Sequence, residues 1–387
     1  MGRFAAMGVL IYGDTERSSA LRHEVPLAIG DPFLYLEANG RRAVVTTALE
    51  EARIARAAPD IECMLVDTLG WDELIAAGRS HREAELEVCA RAVEAFGIER
   101  ASVPFEFPLG LADRLRRGGA EIVPDERLFT ERRRRKTMAE LAGIRRAADA
   151  AVAAMRDGAR MLSEASIDGE RLLLAGEVLT AEAIRARIRE VCARAGAPAP
   201  ADIMIRAMGA NPPLGHDPGS GPLPADVPIE IDLWPQDEAS GCWADMTRTF
   251  VRGEISEPIA KMHALVLDAH ERACQAVGPG VTGRDLEDLA SEVFEAAGHP
   301  TQRTKTAGQT LREGFYWALG HGVGLAVHED PLLWRNGTEA LITGDVVAVE
   351  PGTILAGVGG ARVEDLLIVT TDGSERLTGQ FAYALTP

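Results

Sequence analysis

Carboxylates stand inside apolar, strand-like segments at two places in the second half of the chain. PIEIDLW holds Glu230 and Asp232, and the following CWADMTRTFV holds Asp245. Further on, VVAVEPG holds Glu350 and ARVEDLLIVT holds Glu364. An unpaired carboxylate is costly to bury, so acids in such strands must be paired with cations, protonated or bound to metal. Any fold of this chain must therefore bring these acids together with positive charge.

Two kinds of cation could compensate the acids. Arg248 and Arg362 could form structural ion pairs, which also occur in protein cores. Alternatively, bound metal ions could compensate them. His321 and His328, seven residues apart in GHGVGLAVHEDP, lie in sequence between the two acid-bearing regions and could add imidazole ligands. One histidine with four carboxylates is an oxygen-rich ligand set that suits Mn²⁺, Fe²⁺, Co²⁺ or Zn²⁺, and it is large enough for two metals with bridging carboxylates.

The order and flanking sequences of these residues resemble the pita-bread metallopeptidases, a family that includes aminopeptidase P, prolidase, methionine aminopeptidase and creatinase. The resemblance covers about residues 137–370. The smaller preceding unit resembles the N-terminal domain of the prolidase, aminopeptidase P and creatinase branch. Five positions match the dinuclear metal ligands of the family: Asp232, Asp245, His321, Glu350 and Glu364.

The resemblance implies a two-metal hydrolase. In it, Asp232 chelates one metal, His321 and Glu350 bind the other, and Asp245 and Glu364 bridge the two. Two adjacent cations can lower the pKa of a shared water, polarise the scissile carbonyl and stabilise the tetrahedral oxyanion. Manganese is the expected metal, with cobalt, zinc and iron as the other choices.

The resemblance also implies roles for other residues. Glu350 matches the general base and acid, His328 matches a second active-site histidine that binds substrate, and His216 occupies the place of an upstream active-site histidine. The prolidase and aminopeptidase P pattern usually has a histidine where this chain has Trp317, which offers a flat apolar wall and one hydrogen-bond donor. With His328, Trp317 and Arg362 complete the substrate-binding candidates.

These residues lead to one expected function and two alternatives. The expected function is an Xaa-Pro exopeptidase, either a dipeptidase or an aminopeptidase, that acts through metal-activated water. Because Trp317 departs from the pattern, a pita-bread hydrolase that acts on a small non-peptide amide or amidine is the first alternative. A binding protein without catalytic activity is the second, and the complete ligand set argues against it.

The expected fold is α+β, with a smaller α/β creatinase-type domain over residues 1–130 and a pita-bread catalytic domain over residues 137–387. In the first domain, two strand-like runs flank Asn39-Gly40, a dipeptide suited to a tight hairpin turn. In the second, apolar residues at steps of three and four predict a long helix through Leu141 and Leu162. Similar patterns predict helices ending at Gly196, spanning 257–277 and spanning 282–298.

Two groups of basic residues have ordinary interpretations. The run from Arg132 to Lys136 is read as a solvated linker or helix start, because the chain as a whole is acidic. His263 and His270, two turns apart on the third predicted helix, are expected to face solvent.

Composition limits the partners and the location. Asp and Glu number 59 against 41 Lys and Arg, a net charge of −18 that disfavours binding to nucleic acid or an anionic membrane. No apolar run approaches the roughly 18 residues of a membrane helix. The five cysteines are scattered, without a disulfide or zinc pattern, so a reducing cytoplasm is expected. The resemblance implies a homodimer.

Overall fold

The computed structural model describes residues 7–213 and 215–387. These residues divide into two compact units, with the division between Arg133 and Arg134. The boundary predicted from the sequence lies near residue 130. Across the described ranges, none of the helices combines the length and apolar character needed to span a membrane.

The first unit contains a six-stranded mixed sheet with helices on its two faces. Its strands are β1 (Gly8–Gly13), β2 (Phe33–Ala38), β3 (Arg41–Thr46), β4 (Ile61–Leu65), β5 (Arg100–Val103) and β6 (Glu121–Pro124), in the order β4-β3-β2-β1-β5-β6. Its helices are α1 (Ser19–Glu24), α2 (Ala48–Ala57), α3 (Trp71–Ala76), α4 (His81–Ala95), α5 (Leu109–Arg117) and α6 (Glu126–Arg134), with a short 3₁₀ helix at Val66–Leu69.

The turn between β2 and β3 follows the prediction from the sequence. Asn39 and Gly40 have φ angles of 53° and 75°, the left-handed values that a two-residue hairpin turn requires. Along β1, alternate side chains point to opposite faces, so Leu10 joins one apolar core and Ile11 the other. The sheet of the first unit is therefore covered on both faces.

The second unit repeats one order of elements, a pair of long helices followed by a sheet. The first half contains α7 (Met138–Glu164), β7 (Ser166–Asp168), β8 (Arg171–Leu174), β9 (Glu177–Val178), α8 (Ala181–Arg194), β10 (Met204–Ala207), β11 (Ile229–Leu233) and β12 (Met246–Phe250). The second half contains α9 (Glu257–Ala276), α10 (Gly283–Ala296), β13 (Gly320–Gly322), β14 (Glu329–Leu333), β15 (Val346–Val349), β16 (Gly352–Leu355), β17 (Gly359–Arg362), β18 (Asp365–Val369) and β19 (Ser374–Arg376).

Four sheets result from this order. Strands β10-β11-β12 form one antiparallel sheet, and β14-β13-β15-β18-β19 form a second. Strands β16 and β17 form a hairpin, and β7-β8-β9 form a small sheet. The apolar stripe of α7 and α8, including Met155 and Ile188, packs with Ile231 of β11. Helices α9 and α10 pack in the same way with β15 and β18, through Phe294 and Val347.

The basic run ends directly before α7, as the prediction of a helix start requires, but Arg134 and the side chain of Lys136 are buried, so the prediction that the run is solvated is wrong for these two residues. The Arg134 guanidinium lies 2.6 Å from the Asp345 carboxylate, and Asp345 has no exposed surface. The Lys136 ammonium lies 2.6 Å from the buried Glu329 carboxylate. Each cation is buried because an acid more than 190 residues away in the chain compensates its charge.

His263 and His270 of α9 are also buried, which contradicts their predicted exposure. Burial lowers the pKa of each imidazole to about 4, so both are neutral at pH 7. His270 Nε2 lies 3.5 Å from the Asp365 carboxylate, beside the buried guanidinium of Arg248. The two histidines therefore belong to the packed interior between α9 and the sheet.

Replacing Arg134 with Met should destabilise the fold by about 3–5 kcal/mol, because Asp345 would remain buried without its cation. Urea unfolding followed by circular dichroism measures this change. Arg145→Met is the matched control, since Arg145 forms an exposed pair with Glu375 whose loss should change stability by about 1 kcal/mol or less. Equal effects of the two substitutions would contradict the importance of the buried pair.

Glu287 on α10 should make stability depend on pH. Burial raises the pKa of its carboxyl to about 8, although the Leu319 N–H bond opposes the shift. The unfolded chain ionises this group near its ordinary pKa, so its contribution to stability is complete below about pH 4 and is lost as pH rises towards 8. Compared with Glu287→Gln, the wild type should lose up to about 1.4 kcal/mol per pH unit across that range. The exposed Glu292→Gln should show no such difference.

Candidate metal centre

The β10-β11-β12 sheet supplies two of the predicted ligands. Asp232 lies on β11 and is paired in register with Thr247 of β12. Asp245 directly precedes β12, and its carboxylate accepts a hydrogen bond of 3.0 Å from the N–H of Met246. Both aspartates are buried, and every residue of β11 and β12 is buried as well.

The second half supplies the other three predicted ligands. His321 lies on β13 and is paired with Ala348 of β15. Glu350 directly follows β15, and its N–H donates to the Leu319 carbonyl at 2.7 Å. Glu364 lies in the two-residue link between β17 and β18. Each of these residues is therefore fixed by a strand or by the end of one.

Side chains of β12 join the two halves of the site. Thr247 Oγ1 donates to Glu364 Oε2 at 2.8 Å, and the Glu364 N–H donates to the Thr247 carbonyl at 3.1 Å. Arg248 donates to the Glu364 carbonyl at 2.6 Å, and the Thr249 hydroxyl bonds both backbone groups of Arg362. We call these three residues of β12 the Thr247–Thr249 clamp. The clamp fixes the register of Asp232 and Asp245 against the ligands of the second half.

The five predicted ligands surround one cavity of about 240 Å³. His321 Nε2 lies 3.5 Å from Glu350 Oε1 and 3.9 Å from Asp245 Oδ2. Ligand atoms of Asp245, His321 and Glu364 all lie within 4.8 Å of one another. The cavity is lined by all five, Asp232, Asp245, His321, Glu350 and Glu364, together with His216, His328 and Arg362.

The acids of the cavity repel one another and are held out of water. Burial, reinforced by the charges of Asp232 and Glu350, raises the pKa of Asp245 well above its usual range. Burial and the charge of Asp245 do the same to the pKa of Glu364. Burial raises the pKa of Glu350 to about 7 despite the nearby Arg362. Such carboxylates hold their protons in the absence of further positive charge, so the arrangement favours a bound cation.

Arg362 is a counter-ion within the acid cluster. It contacts the Asp232 carboxylate, and it lies 3.1 Å from Glu350 Oε2 and 3.3 Å from Glu230 Oε1. Arg248, the other cation considered from the sequence, faces away from the cavity and pairs with Asp365 at 2.8 Å. Structural ion pairs, the alternative to metal considered from the sequence, are therefore present in part, through Arg362.

The charge balance of the site leaves room for metal ions. Five buried or nearly buried carboxylates face two guanidinium groups, which leaves three negative charges uncompensated among the described residues. Two divalent cations would supply four positive charges, enough to compensate this deficit, whereas one would not. The carboxylates and guanidinium groups in this count are Glu230, Asp232, Asp245, Glu350, Glu364, Arg206 and Arg362.

The tautomer of His321 also fits a metal. Its Nδ1 lies 3.1 Å from the Gly322 carbonyl oxygen, which can only accept a hydrogen bond, so the proton resides on Nδ1. Burial lowers the pKa of His321 to about 4, which keeps the ring neutral. The lone pair of Nε2 is therefore directed towards Asp245 and Glu350, as a metal ligand requires.

The other predicted site residues lie beside the five ligands. The His328 ring is 4.4 Å from the His321 ring and 6.5 Å from the His216 ring, measured between centroids. Trp317 lies in the wall of a larger adjoining cavity, and its indole N–H donates to the Glu350 carbonyl at 3.3 Å. The structure thus brings all the predicted site residues to two adjoining cavities.

Arg206 is a further residue of the site that was not predicted from the sequence. It lies on β10, paired in register with Glu230 of β11, and its guanidinium lies 2.7 Å from the Glu230 carboxylate. A signal was available in the sequence, because Arg206 interrupts the apolar run IMIRAM. A buried arginine in such a strand requires an acid, and Glu230 was the strand acid without an assigned ligand role.

Comparison with known proteins identifies the family. Residues 142–371, more than half of the chain, match metallopeptidase family M24. The chain belongs to this family. The sequence is 35% identical over 135 residues to the Xaa-Pro dipeptidase of Pyrococcus furiosus, and 35% identical over 134 residues to a probable dipeptidase PepE of Mycobacterium tuberculosis. Each match covers 35% of this chain; it covers 35% of the Pyrococcus protein and 32% of the Mycobacterium protein, about a third of each.

Solved structures of the same fold cover nearly the whole chain. A prolidase from Pyrococcus horikoshii superposes with a TM-score of 0.74 over 96% of this chain and 94% of its own, at 22% identity. An Xaa-Pro dipeptidase from Bacillus anthracis gives a TM-score of 0.77 over 98% of this chain and 94% of its own, also at 22% identity. The predicted α+β pita-bread fold is confirmed.

Metal binding should stabilise the folded protein through Glu364. At a free Mn²⁺ concentration of 100 times Kd, linkage predicts about 2.7 kcal/mol of stabilisation in the wild type. Glu364→Gln should remove most of this gain, which thermal unfolding with and without Mn²⁺ measures. Glu375→Gln, an exposed control on β19, should behave as the wild type. An unchanged gain in Glu364→Gln would contradict the ligand role.

Proposed function

We propose that this chain is a metal-dependent exopeptidase that cleaves Xaa-Pro bonds. The observation that carries the proposal is the single cavity that brings together His321 and the four acids of the ligand set, whose uncompensated negative charge two divalent ions would compensate. Membership of family M24 supports a metal-dependent peptidase. The names of the relatives, Xaa-Pro dipeptidase and dipeptidase, support a peptide substrate.

The metal ligands in this proposal are the five residues of the cavity. Asp232 would hold one ion, His321 and Glu350 the other, and Asp245 and Glu364 both. When bound, the metal pair supplies an activated water and polarises the scissile carbonyl. Manganese is the proposed metal, with cobalt, zinc and iron as alternatives, since oxygen-rich sites with one imidazole accept each of them.

The chain's own residues position the substrate and move the proton. Glu350 presents one carboxylate oxygen towards His321 and the other towards Arg362, so we assign it the transfer of a proton from water to the leaving nitrogen. His328 and His216 line the same cavity and are assigned hydrogen bonds to the substrate carbonyl or to the tetrahedral intermediate. Arg362 lies between the carboxylates of Asp232 and Glu350 and pairs with both. It lines the cavity and is assigned a further contact with the substrate.

A small non-peptide amide or amidine is the second candidate substrate. The observation in its favour is the wall formed by Trp317, which gives the adjoining cavity an apolar surface where an imidazole would offer a proton donor or acceptor. The same metal ligands and the same proton transfer by Glu350 serve either substrate class.

Location and assembly complete the proposal. All five cysteines are free thiols in the structure, in keeping with a reducing cytoplasm. A homodimer is proposed from the resemblance to the prolidase branch. The net charge of −18 supports a small peptide or amide partner over nucleic acid.

Hydrolysis of Xaa-Pro substrates should require both metal and the bridging acids. With Mn²⁺ added, the wild type should cleave Xaa-Pro dipeptides or longer Xaa-Pro peptides. Asp245→Ala should lower kcat/KM by at least about 10²-fold, because a proposed bridging ligand of the metal pair that activates water is lost. The experiment follows release of the N-terminal residue and measures metal content in parallel, with Glu375→Ala as control.

Two outcomes would change the assignment. Bound metal without cleavage of any Xaa-Pro peptide would favour the amide or amidine substrate. Absence of specific metal binding in the wild type would contradict the catalytic assignment itself.

A further inference from the structure

A larger cavity of about 390 Å³ adjoins the metal cavity and shares His216, His321, His328, Glu350 and Arg362 with it. We call it the apolar chamber. Its size lies in the range of small-molecule binding pockets. Apolar and aromatic side chains form most of the rest of its described lining: Met204, which also lines the metal cavity, Met208, Pro213, Tyr316, Trp317, Ala318, Leu332, Ile354 and Ala361.

The indole of Trp317 is a fixed part of this wall. Its N–H donates to the Glu350 carbonyl, and its ring packs edge-to-face with Phe315 and Tyr316, at centroid distances of 5.9 and 5.1 Å. A Cβ atom at Gly352 would lie 2.6 Å from the indole, so only glycine leaves room for the ring there. The wall is therefore rigid and apolar beside the proposed proton-transfer group.

Both guanidinium groups of the described lining are already bonded to carboxylates. Arg206 places Nε and Nη2 at 2.8 and 2.7 Å from Glu230 Oε1, and its Nη1 donates to the Gly215 carbonyl at 2.6 Å. Arg362 is engaged by Glu230, Asp232 and Glu350. Glu230 pairs with both cations and is not a proposed metal ligand, so a substrate carboxylate reaches neither of them without breaking a buried ion pair, also in metal-loaded protein.

The chamber wall also contains one neutral polar group that the protein leaves unpaired. Thr353 of β16 is fully buried, and its hydroxyl oxygen has no hydrogen-bond partner among the described residues. A buried unpaired hydroxyl is unfavourable, and an uncharged hydrogen-bonding group of a ligand would relieve it. Size, apolar walls and committed cations suit an uncharged occupant, to which this hydroxyl offers a hydrogen bond.

We propose that the site selects substrates that carry no carboxylate next to the scissile bond, so that it acts on longer or amide-capped Xaa-Pro peptides in preference to free Xaa-Pro dipeptides. This inference rests on the proposed peptidase function. In a dipeptide, the carboxylate is two bonds from the scissile nitrogen and must enter the metal cavity or the chamber. Enclosing it there without a free cation is unfavourable, whereas a tripeptide or an amide places a neutral group at that position.

The test compares kcat/KM of the Mn²⁺-loaded protein on Leu-Pro, Leu-Pro-amide and Leu-Pro-Leu. The wild type should prefer the amide and the tripeptide by about 10- to 100-fold, the ratio expected for one charged group without a partner. Glu230→Gln removes the carboxylate that neutralises Arg206 and should shift the ratio towards the dipeptide by about tenfold. Glu375→Gln, which changes an exposed residue that lines neither cavity, should keep the wild-type ratio.

The double variant Arg206→Gln/Glu230→Gln, which removes both charges of the pair together, provides a second test in case Glu230→Gln fails to fold. If Arg206 is committed to Glu230, loss of this neutral pair should leave the ratio of dipeptide to amide cleavage unchanged. A selective loss of dipeptide cleavage would show that Arg206 binds the substrate carboxylate and would overturn the proposal. So would a wild type that cleaves Leu-Pro as well as, or better than, Leu-Pro-amide.

Failure of the peptidase assignment is a separate result. If no Xaa-Pro substrate of any length is cleaved by metal-loaded protein, the chamber can be tested by binding alone. Calorimetry with leucinamide and leucine should then give tighter binding of leucinamide in the wild type, with the difference reduced in Glu230→Gln. Equal or tighter binding of leucine would overturn the preference for an uncharged group independently of activity.

Discussion

Repulsion among enclosed carboxylates is the constraint on which the second unit depends. Asp232, Asp245, Glu350 and Glu364 lie close together in strands that are otherwise apolar, and each has its pKa raised. Such a cluster is unfavourable unless cations enter it, so the surrounding packing must hold the acids in place against their mutual repulsion. Arg362 supplies one positive charge from within the fold, and the remaining deficit favours the binding of further cations.

The two sheets that carry these acids belong to different halves of the unit, and neither half contains a complete site. The Thr247–Thr249 clamp joins them with hydrogen bonds from side chains to the Glu364 carboxylate and to backbone carbonyls, which lie outside the regular ladders of either sheet. Behind it, Arg248 and Asp365 form a buried pair that also contacts Thr378 and His270. Function at this site therefore depends on packing between elements that are more than 100 residues apart in the chain.

Much of this arrangement could be predicted from the sequence, because the signals were local. Helical periodicity located α7 to α10, Asn39-Gly40 located a hairpin, and acids in apolar strands located the candidate ligands. Burial of Arg134, Lys136, His263 and His270 could not be predicted in this way. Each depends on a partner or a packing surface from a distant segment, and composition alone favours exposure for such residues. The burial of Arg206 could not be predicted for the same reason, because it depends on the register that pairs Arg206 with Glu230.

The position of Glu364 has a consequence for how the site is assembled. The residue lies in a link of two residues between strands of different sheets, with Arg362 held by acids and Thr249 on one side and Asp365 held by Arg248, Thr378 and Tyr383 on the other. Thr249 and Glu230 on one side, and Arg248 and Thr378 on the other, anchor these neighbours and are not among the proposed ligands. Under the proposed ligand assignment, the carboxylate would therefore be oriented by the protein before an ion arrives, and ion uptake would cost little conformational entropy.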